Sequence, residues 1–262
     1  MVGLRPNLSG GLAGARTAGC DLAGASADRR VAEASLAAPP VRSCRIQSVT
    51  RTIDAVIFDL GGVLARTGRL ADFAARYPDH DAATITGILM GDYADDTDHP
   101  WHRLERGEMT LAENREINRA ALAAIGVEMP PASPQGATAG LTFEVNVPVI
   151  ELVAELRDAS PRIRLGVLTN NVLEFRPMWW DMLPFEEWFD DIVDSHEVGL
   201  RKPNPAIYEL ALSRLGVTAA RAAFLDDVAS NLVPARNLGM HAVLVEDDPS
   251  AAIATVRQLA DL

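Results

Sequence analysis

Five short apolar runs, spaced along the chain and separated by helical patterns, most constrain what this sequence can fold into. They are "DAVIF" (Asp54 to Phe58), "IRLGVL" (Ile163 to Leu168), "DIVDS" (Asp191 to Ser195), "AAFL" (Ala222 to Leu225) and "HAVLV" (His241 to Val245). Most are apolar without alternation, as strands covered on both faces must be; "DIVDS" is the weakest. Helical patterns fall at Val147 to Arg157, Asn204 to Leu215, Ser230 to Leu238 and Ser250 to Leu259. Asn204 before Pro205 makes an N-cap and first-turn pair, and Gly216 supplies the stop. Strands alternating with helices predict an α/β fold, a three-layer Rossmann-like parallel sheet with helices on both faces. Such sheets bind ligands beyond the carboxyl ends of their strands.

One interval breaks the alternation. About a hundred residues separate the first two strands, too many for a single crossover. Within them "TLAENREINRAALAAIG" opens on a capping box, Thr110 with Glu113, and closes at Gly126, and Leu70 to Met90 carries a second helical pattern. The expected organisation is a core over residues 51–65 and 135–262 with a helical cap over 66–134, the return running through "PPASPQG". Residues 1–50, rich in Ala, Gly, Ser and Arg without periodicity, read as a disordered tail. The arginine excess there loosely resembles a transit peptide, although a start codon placed too far upstream accounts for it better.

Composition removes whole classes of function. A net charge of −12 leaves no basic field for nucleic acid or an anionic membrane surface. No run of eighteen apolar residues exists to span a bilayer. The two cysteines, Cys20 and Cys44, both lie in the tail and form no ligand cluster, which fits a reducing cytoplasm and argues against zinc or a disulfide framework.

The chemistry is written at the carboxyl ends of the strands. Asp59 ends the first, Thr169, Asn170 and Asn171 the second. "EVGLRKPNP" with Lys202 comes after the third, and Asp226 and Asp227 after the fourth, with Asn231 four residues on. Parallel strands bring these groups to one edge. Carboxylates, a hydroxyl and one ammonium there suit a divalent cation together with a phosphate. Among 24 basic residues Lys202 is the single lysine, and a compact ammonium does what a planar guanidinium does not.

"FDLGGVL", "LTNN", "EVGLRKPNPAIYELAL" and "FLDDVASNLVPARNLGM" resemble, in order, the four motifs of the haloacid dehalogenase-like (HAD) hydrolases. The resemblance is strongest to the phosphatase-like domain of soluble epoxide hydrolases and to small sugar-phosphate phosphatases, and it runs from Ile53 to Leu262. It implies that Asp59 is a nucleophile forming an aspartyl-phosphate, that Thr169 and Asn170 bond the phosphoryl oxygens, and that Lys202 neutralises charge. It implies Mg2+ held by Asp59, Asp227 and the Gly61 carbonyl, with Asp226 orienting Lys202 or a metal-bound water. Asn231 stands where many members carry a further acid. Gly61 stands where most phosphatases of the family carry an acid that protonates the leaving oxygen and then activates water. Its absence favours substrates whose leaving group departs unprotonated, such as anomeric or acyl phosphates.

The expected function is a Mg2+-dependent phosphatase of a small phosphorylated metabolite. The alternatives are a weakly catalytic phosphometabolite-binding protein and a metal-independent dehalogenase. "HPWHRLERGEMT" offers His102 or Glu108 as a proton relay, against the simpler expectation of a solvated helix face with Trp101 packed inward. "FRPMWWDMLPFEEWF" reads as core or as the face of a homodimer.

Overall fold

The computed structural model describes residues 51–67, 78–129 and 143–262; the expected tail, the segment 68–77 and the "PPASPQG" linker lie outside them. Five strands, β1 (Ala55–Phe58), β4 (Arg164–Thr169), β5 (Asp191–Asp194), β6 (Ala222–Asp226) and β7 (His241–Leu244), form one sheet in the order β5-β4-β1-β6-β7. Every pairing in it is parallel. The central strand β1 and its neighbour β6 are buried along their whole length, and β4 in all but its first residue. That is why these runs read as continuously apolar: both faces are covered.

The alternation of side chains along β1 sorts the core into two layers. Val56 and Phe58 point to the face covered by α4 (Val147–Asp158) and α7 (Ser250–Ala260), through Val149, Leu152, Val153, Leu156, Ile253 and Val256. Ala55 and Ile57 point to the face covered by α5 (Pro205–Leu215) and α6 (Leu232–Leu238), through Ile207, Tyr208, Ala211, Leu215 and Ala235. The aromatic stretch joins the first layer: Trp179, Phe185 and Phe189 are buried, and Phe189 meets Phe58 edge-on at 6.2 Å.

Local chemistry sets the element ends. Asn204 accepts from the Ala206 N–H at 3.1 Å and opens α5 one residue later, and Gly216, at φ 62°, ends it. The helix expected from Ser230 begins at Leu232, because 229–231 form a tighter 3₁₀ turn. Between the first two sheet strands lie α1 (Ala82–Met90), α2 (Pro100–Glu105) and α3 (Leu111–Ala123). The Thr110–Glu113 capping box opens α3 with both reciprocal bonds present. An antiparallel ribbon of β2 (Ala65–Thr67) and β3 (Phe143–Val145) brackets this insert, a pairing the sequence did not announce. Among the described residues no helix is long and apolar enough to cross a membrane.

Candidate active site

The register of the sheet assembles the site. Phe58 pairs with Val167 on one side and Leu225 on the other, so Asp59, the end of β4 and the end of β6 emerge together. Asp59 is buried, its Oδ1 accepting the Leu60 N–H at 2.7 Å and its Oδ2 lying 2.9 Å from the Lys202 ammonium. The same Nζ donates to Asp226 Oδ2 at 2.7 Å. Oxygens of Asp59, Asp226 and Asp227 lie within 4.8 Å of one another. Three acids from two adjacent strand ends and one lysine thus share a single crevice.

The electrostatics reflect that crowding. Burial pushes the Asp59 carboxyl well above its ordinary range; Lys202 pulls it back, and Asp226 and Asp227 raise it further. Burial lowers Lys202, but the carboxylates of Asp226 and Asp59 outweigh it and hold the ammonium above the usual lysine value. Lys202 is therefore a fixed cation. Two negative charges in excess of positive remain when all three acids ionise, an arrangement that calls for a cation.

The surrounding hydrogen bonds show what each neighbour does. Asp226, wholly buried, accepts from Lys202, from the Val228 N–H at 2.8 Å and from Asn231 Nδ2 at 3.1 Å to each oxygen. Its oxygens are saturated by protein donors, which favours the lysine-orienting role over the water-holding one. Asn231 supplies an amide donor to a buried carboxylate. Asn170 spends both ends of its side chain on the backbone of Lys202: Nδ2 donates to the Lys202 carbonyl at 2.9 Å and Oδ1 accepts the Lys202 N–H at 2.7 Å. Its side chain therefore braces the backbone of the lysine and keeps one Nδ2 hydrogen beyond that bond. Thr169 Oγ1 has only a 3.5 Å approach to the Asn170 carbonyl, longer than a normal hydroxyl bond, so its proton is not committed.

The two glycines after Leu60 differ in what they permit. Gly62 sits at φ +74°, and a Cβ there would lie 2.2 Å from the Asp227 carboxyl carbon. Asp227 occupies the space a side chain would need. Gly61 has no such constraint: among the described residues a Cβ there meets only Thr67, at 3.8 Å. Among the described residues, the Cβ of the missing acid is thus not excluded by packing.

In the insert, neither candidate relay is poised for proton transfer. Glu108 is bound at the surface by Arg106 at 2.6 Å and by Arg103 at 3.3 Å. His102 is buried, with Nδ1 accepting the Thr97 N–H at 3.1 Å. Burial, with Arg201 and His99 nearby, lowers the imidazole to about 4. Folded His102 then binds fewer protons than the unfolded side chain, so stability rises with pH between the two values, and acidifying from pH 7 to pH 5 costs about 2 kcal/mol. Urea midpoints of wild type and His102→Gln at those two pH values check this: the variant is expected to lose that part of the pH dependence, and identical dependence in both contradicts it.

Two charged residues were invisible to motif reading. Arg201 and Glu105 are buried and paired at 2.7 Å between Arg201 Nε and Glu105 Oε2. The available signal was an arginine immediately before the single lysine, but its partner lies 96 residues away.

The haloacid dehalogenase-like hydrolase family model matches residues 53–239. Bifunctional epoxide hydrolase 2 of Rattus norvegicus is 30% identical over 208 residues, covering 74% of this chain and 36% of that protein. Sesquiterpene phosphatase astK of Aspergillus oryzae is 27% identical over 218 residues, 80% of this chain and 97% of its own. The chain spans only 19% to 36% of the length of the first curated relatives it matches. A HAD-family enzyme of Bacteroides thetaiotaomicron, solved with magnesium and inorganic phosphate, superposes with a TM-score of 0.53 at 20% identity, over 75% of this chain and 96% of that one, and shares the fold. With the match running from the first sheet strand through the Asp226–Asp227 pair to Gly239, the chain belongs to the haloacid dehalogenase-like hydrolases.

Proposed function

We propose that the chain is a Mg2+-dependent phosphatase that hydrolyses a small phosphorylated metabolite through an aspartyl-phosphate on Asp59. The supporting observation is the Lys202 ammonium set between Asp59 at 2.9 Å and Asp226 at 2.7 Å, beside Asp227. That gathers a nucleophile, a fixed cation and further oxygen donors within reach of one phosphoryl group. A relative named a phosphatase and a same-fold enzyme holding magnesium and phosphate support the reading.

The donor set fits magnesium. It is all oxygen, it carries excess negative charge, and Asp226 is already saturated, which leaves Asp59 and Asp227, with the Gly61 carbonyl, to hold the ion. Bound there, the ion supplies charge neutralisation and alignment for in-line displacement. Asp59 attacks phosphorus and carries the phosphoryl group until water releases it. Lys202 balances the charge that builds on the equatorial oxygens, and the Thr169 hydroxyl donates to one of them.

Gly61 then sets the substrate class. With no side-chain acid to protonate the leaving oxygen, esters of poor leaving groups react slowly, whereas acyl and anomeric phosphates lose least. Phosphate release measured across leaving groups of graded pKa, with Mg2+ and with a chelator, tests this. Rates are expected to fall as leaving-group pKa rises and to vanish with chelator. Equal rates throughout, or indifference to chelator, contradict the proposal, and halide release from a 2-haloacid unaffected by chelator favours the dehalogenase chemistry of this fold instead. Tight binding of inorganic phosphate without turnover of any ester favours a binding protein instead.

Gly61→Asp is the converse experiment. The site has room for the Cβ, and an acid there is expected to speed phosphoryl transfer to Asp59 from poor leaving groups by about a hundredfold to ten-thousandfold while changing that step little for good ones. Single-turnover kinetics on the same series check it, and an unchanged profile contradicts it.

A further inference from the structure

Arg201 is wholly buried, precedes the reacting lysine and has no part in the chemistry proposed above. A guanidinium out of water is costly unless its donors are met. Here the insert meets the donors of two of its three nitrogens, while Nη2 is buried with no hydrogen-bond partner among the described residues. Nε donates to Glu105 Oε2 at 2.7 Å and one terminal nitrogen to the Asp95 carbonyl at 2.6 Å, while the Tyr93 ring lies 5.3 Å beneath the guanidinium carbon. Glu105 Oε1 in turn accepts the Tyr93 hydroxyl at 2.8 Å and the Trp101 indole N–H at 2.9 Å. Burial and the Glu105 charge raise the Tyr93 phenol far above its usual range, so that hydroxyl remains the donor. Two residues past Lys202, Asn204 Nδ2 reaches Asp96 at 3.2 Å.

The loop that carries Lys202 is therefore gripped from both sides, by the insert through Arg201 and Asn204 and by the core through Asn170. Buried ion pairs are poor devices for stability, since apolar pairs of similar volume often do as well. In some proteins they serve instead to fix one arrangement. A lysine on a flexible four-carbon stem needs such fixing at its backbone. We propose that the Glu105–Arg201 pair is a positioning clamp for Lys202: Glu105 acts from the insert, through Arg201, to hold the ammonium between Asp59 and Asp226. Displacement of a catalytic group by about 1 Å lowers rates on the order of a hundredfold.

The kinetic arm of the test rests on the phosphatase reading, and a second arm does not. Because Lys202 is the single lysine, [15N]lysine labelling of the full chain gives one side-chain ammonium resonance. In Glu105→Ala that resonance is expected to shift and broaden. The kcat for p-nitrophenyl phosphate is expected to fall at least about tenfold with KM held within about twofold. Glu105→Gln, which keeps the shape and one accepting oxygen, is expected to lose less on both counts. The double variant Glu105→Leu with Arg201→Met leaves no buried charge unpaired, although it takes the acceptor from Tyr93 and Trp101, and is expected to melt above Glu105→Ala yet share its kcat loss, whereas a purely structural pair would regain kcat along with stability. An unmoved Lys202 resonance in Glu105→Ala overturns the proposal, as does a double variant with wild-type kcat. Should the wild type release no phosphate from this ester under any condition, the phosphatase reading fails while the resonance still decides the clamp.

Discussion

Asp59→Asn is expected to lower phosphate release by about a thousandfold or more, the loss incurred when a nucleophile is removed and only binding and electrostatics remain. The amide keeps the volume of the carboxylate and can still accept the Leu60 N–H that Oδ1 takes at 2.7 Å, so the fold is expected to persist. It also removes one of three acids crowded within 4.8 Å, which eases repulsion with Asp226 and Asp227. Phosphate release and a thermal melt on the same sample check both halves. Wild-type turnover in the variant contradicts a nucleophilic Asp59; a collapsed melting temperature assigns the residue to the fold instead.

Lys202→Met has the second large effect, and it strikes stability and activity together. The ammonium is buried and is shared by Asp59 at 2.9 Å and Asp226 at 2.7 Å, so its loss leaves buried carboxylates without their counter-charge. Breaking a buried pair from one side costs about 3–5 kcal/mol. Removing the cation from the transition state is expected to cost about a hundredfold to a thousandfold in rate. Combining it with Asp226→Asn separates the two: the double variant regains much of the stability, because the buried acid is neutralised, but none of the rate. Urea titration alongside phosphate release reads this out. A single variant as stable as wild type contradicts the ion-pair account, and a double variant that recovers activity contradicts the catalytic one.

The sheet and most of the site were legible in the sequence for one physical reason. Strands covered on both faces are written as uninterrupted apolar runs, and the residues just past each run must emerge at the same edge. Asp59, Thr169, Lys202, Asp226 and Asp227 are legible on that ground. The capping box at Thr110 was legible because it is a local signal, closed within four residues. The features that escaped were non-local or too short. The β2–β3 ribbon has three residues per strand, and in β2 only Ala65 is buried, so no periodicity betrays it. The brace that the Asn170 amide puts on the Lys202 backbone is likewise set by the fold and announced by no local pattern. The Glu105–Arg201 pair could not be inferred from two charges 96 residues apart, since isolated charges normally mark a solvated face. Trp101 packs inward as expected, beside Leu104, Leu111 and Val172, and it also supplies its indole N–H to Glu105 at 2.9 Å.

The missing acid at Gly61 makes the covalent step open to direct observation. An acid there would serve both halves of the reaction, so with an acyl phosphate the first half is expected to be fast and the attack of water slow. Asp59 should then accumulate its phosphoryl group. Acid quenching of the Mg2+-loaded chain within its first turnover, followed by peptide mass spectrometry, measures this directly. The expected result is one phosphoryl group on the peptide spanning Ala55 to Arg66, lost in Asp59→Asn; steady hydrolysis of the acyl phosphate with that peptide unlabelled, or with the label on another residue, would contradict the mechanism.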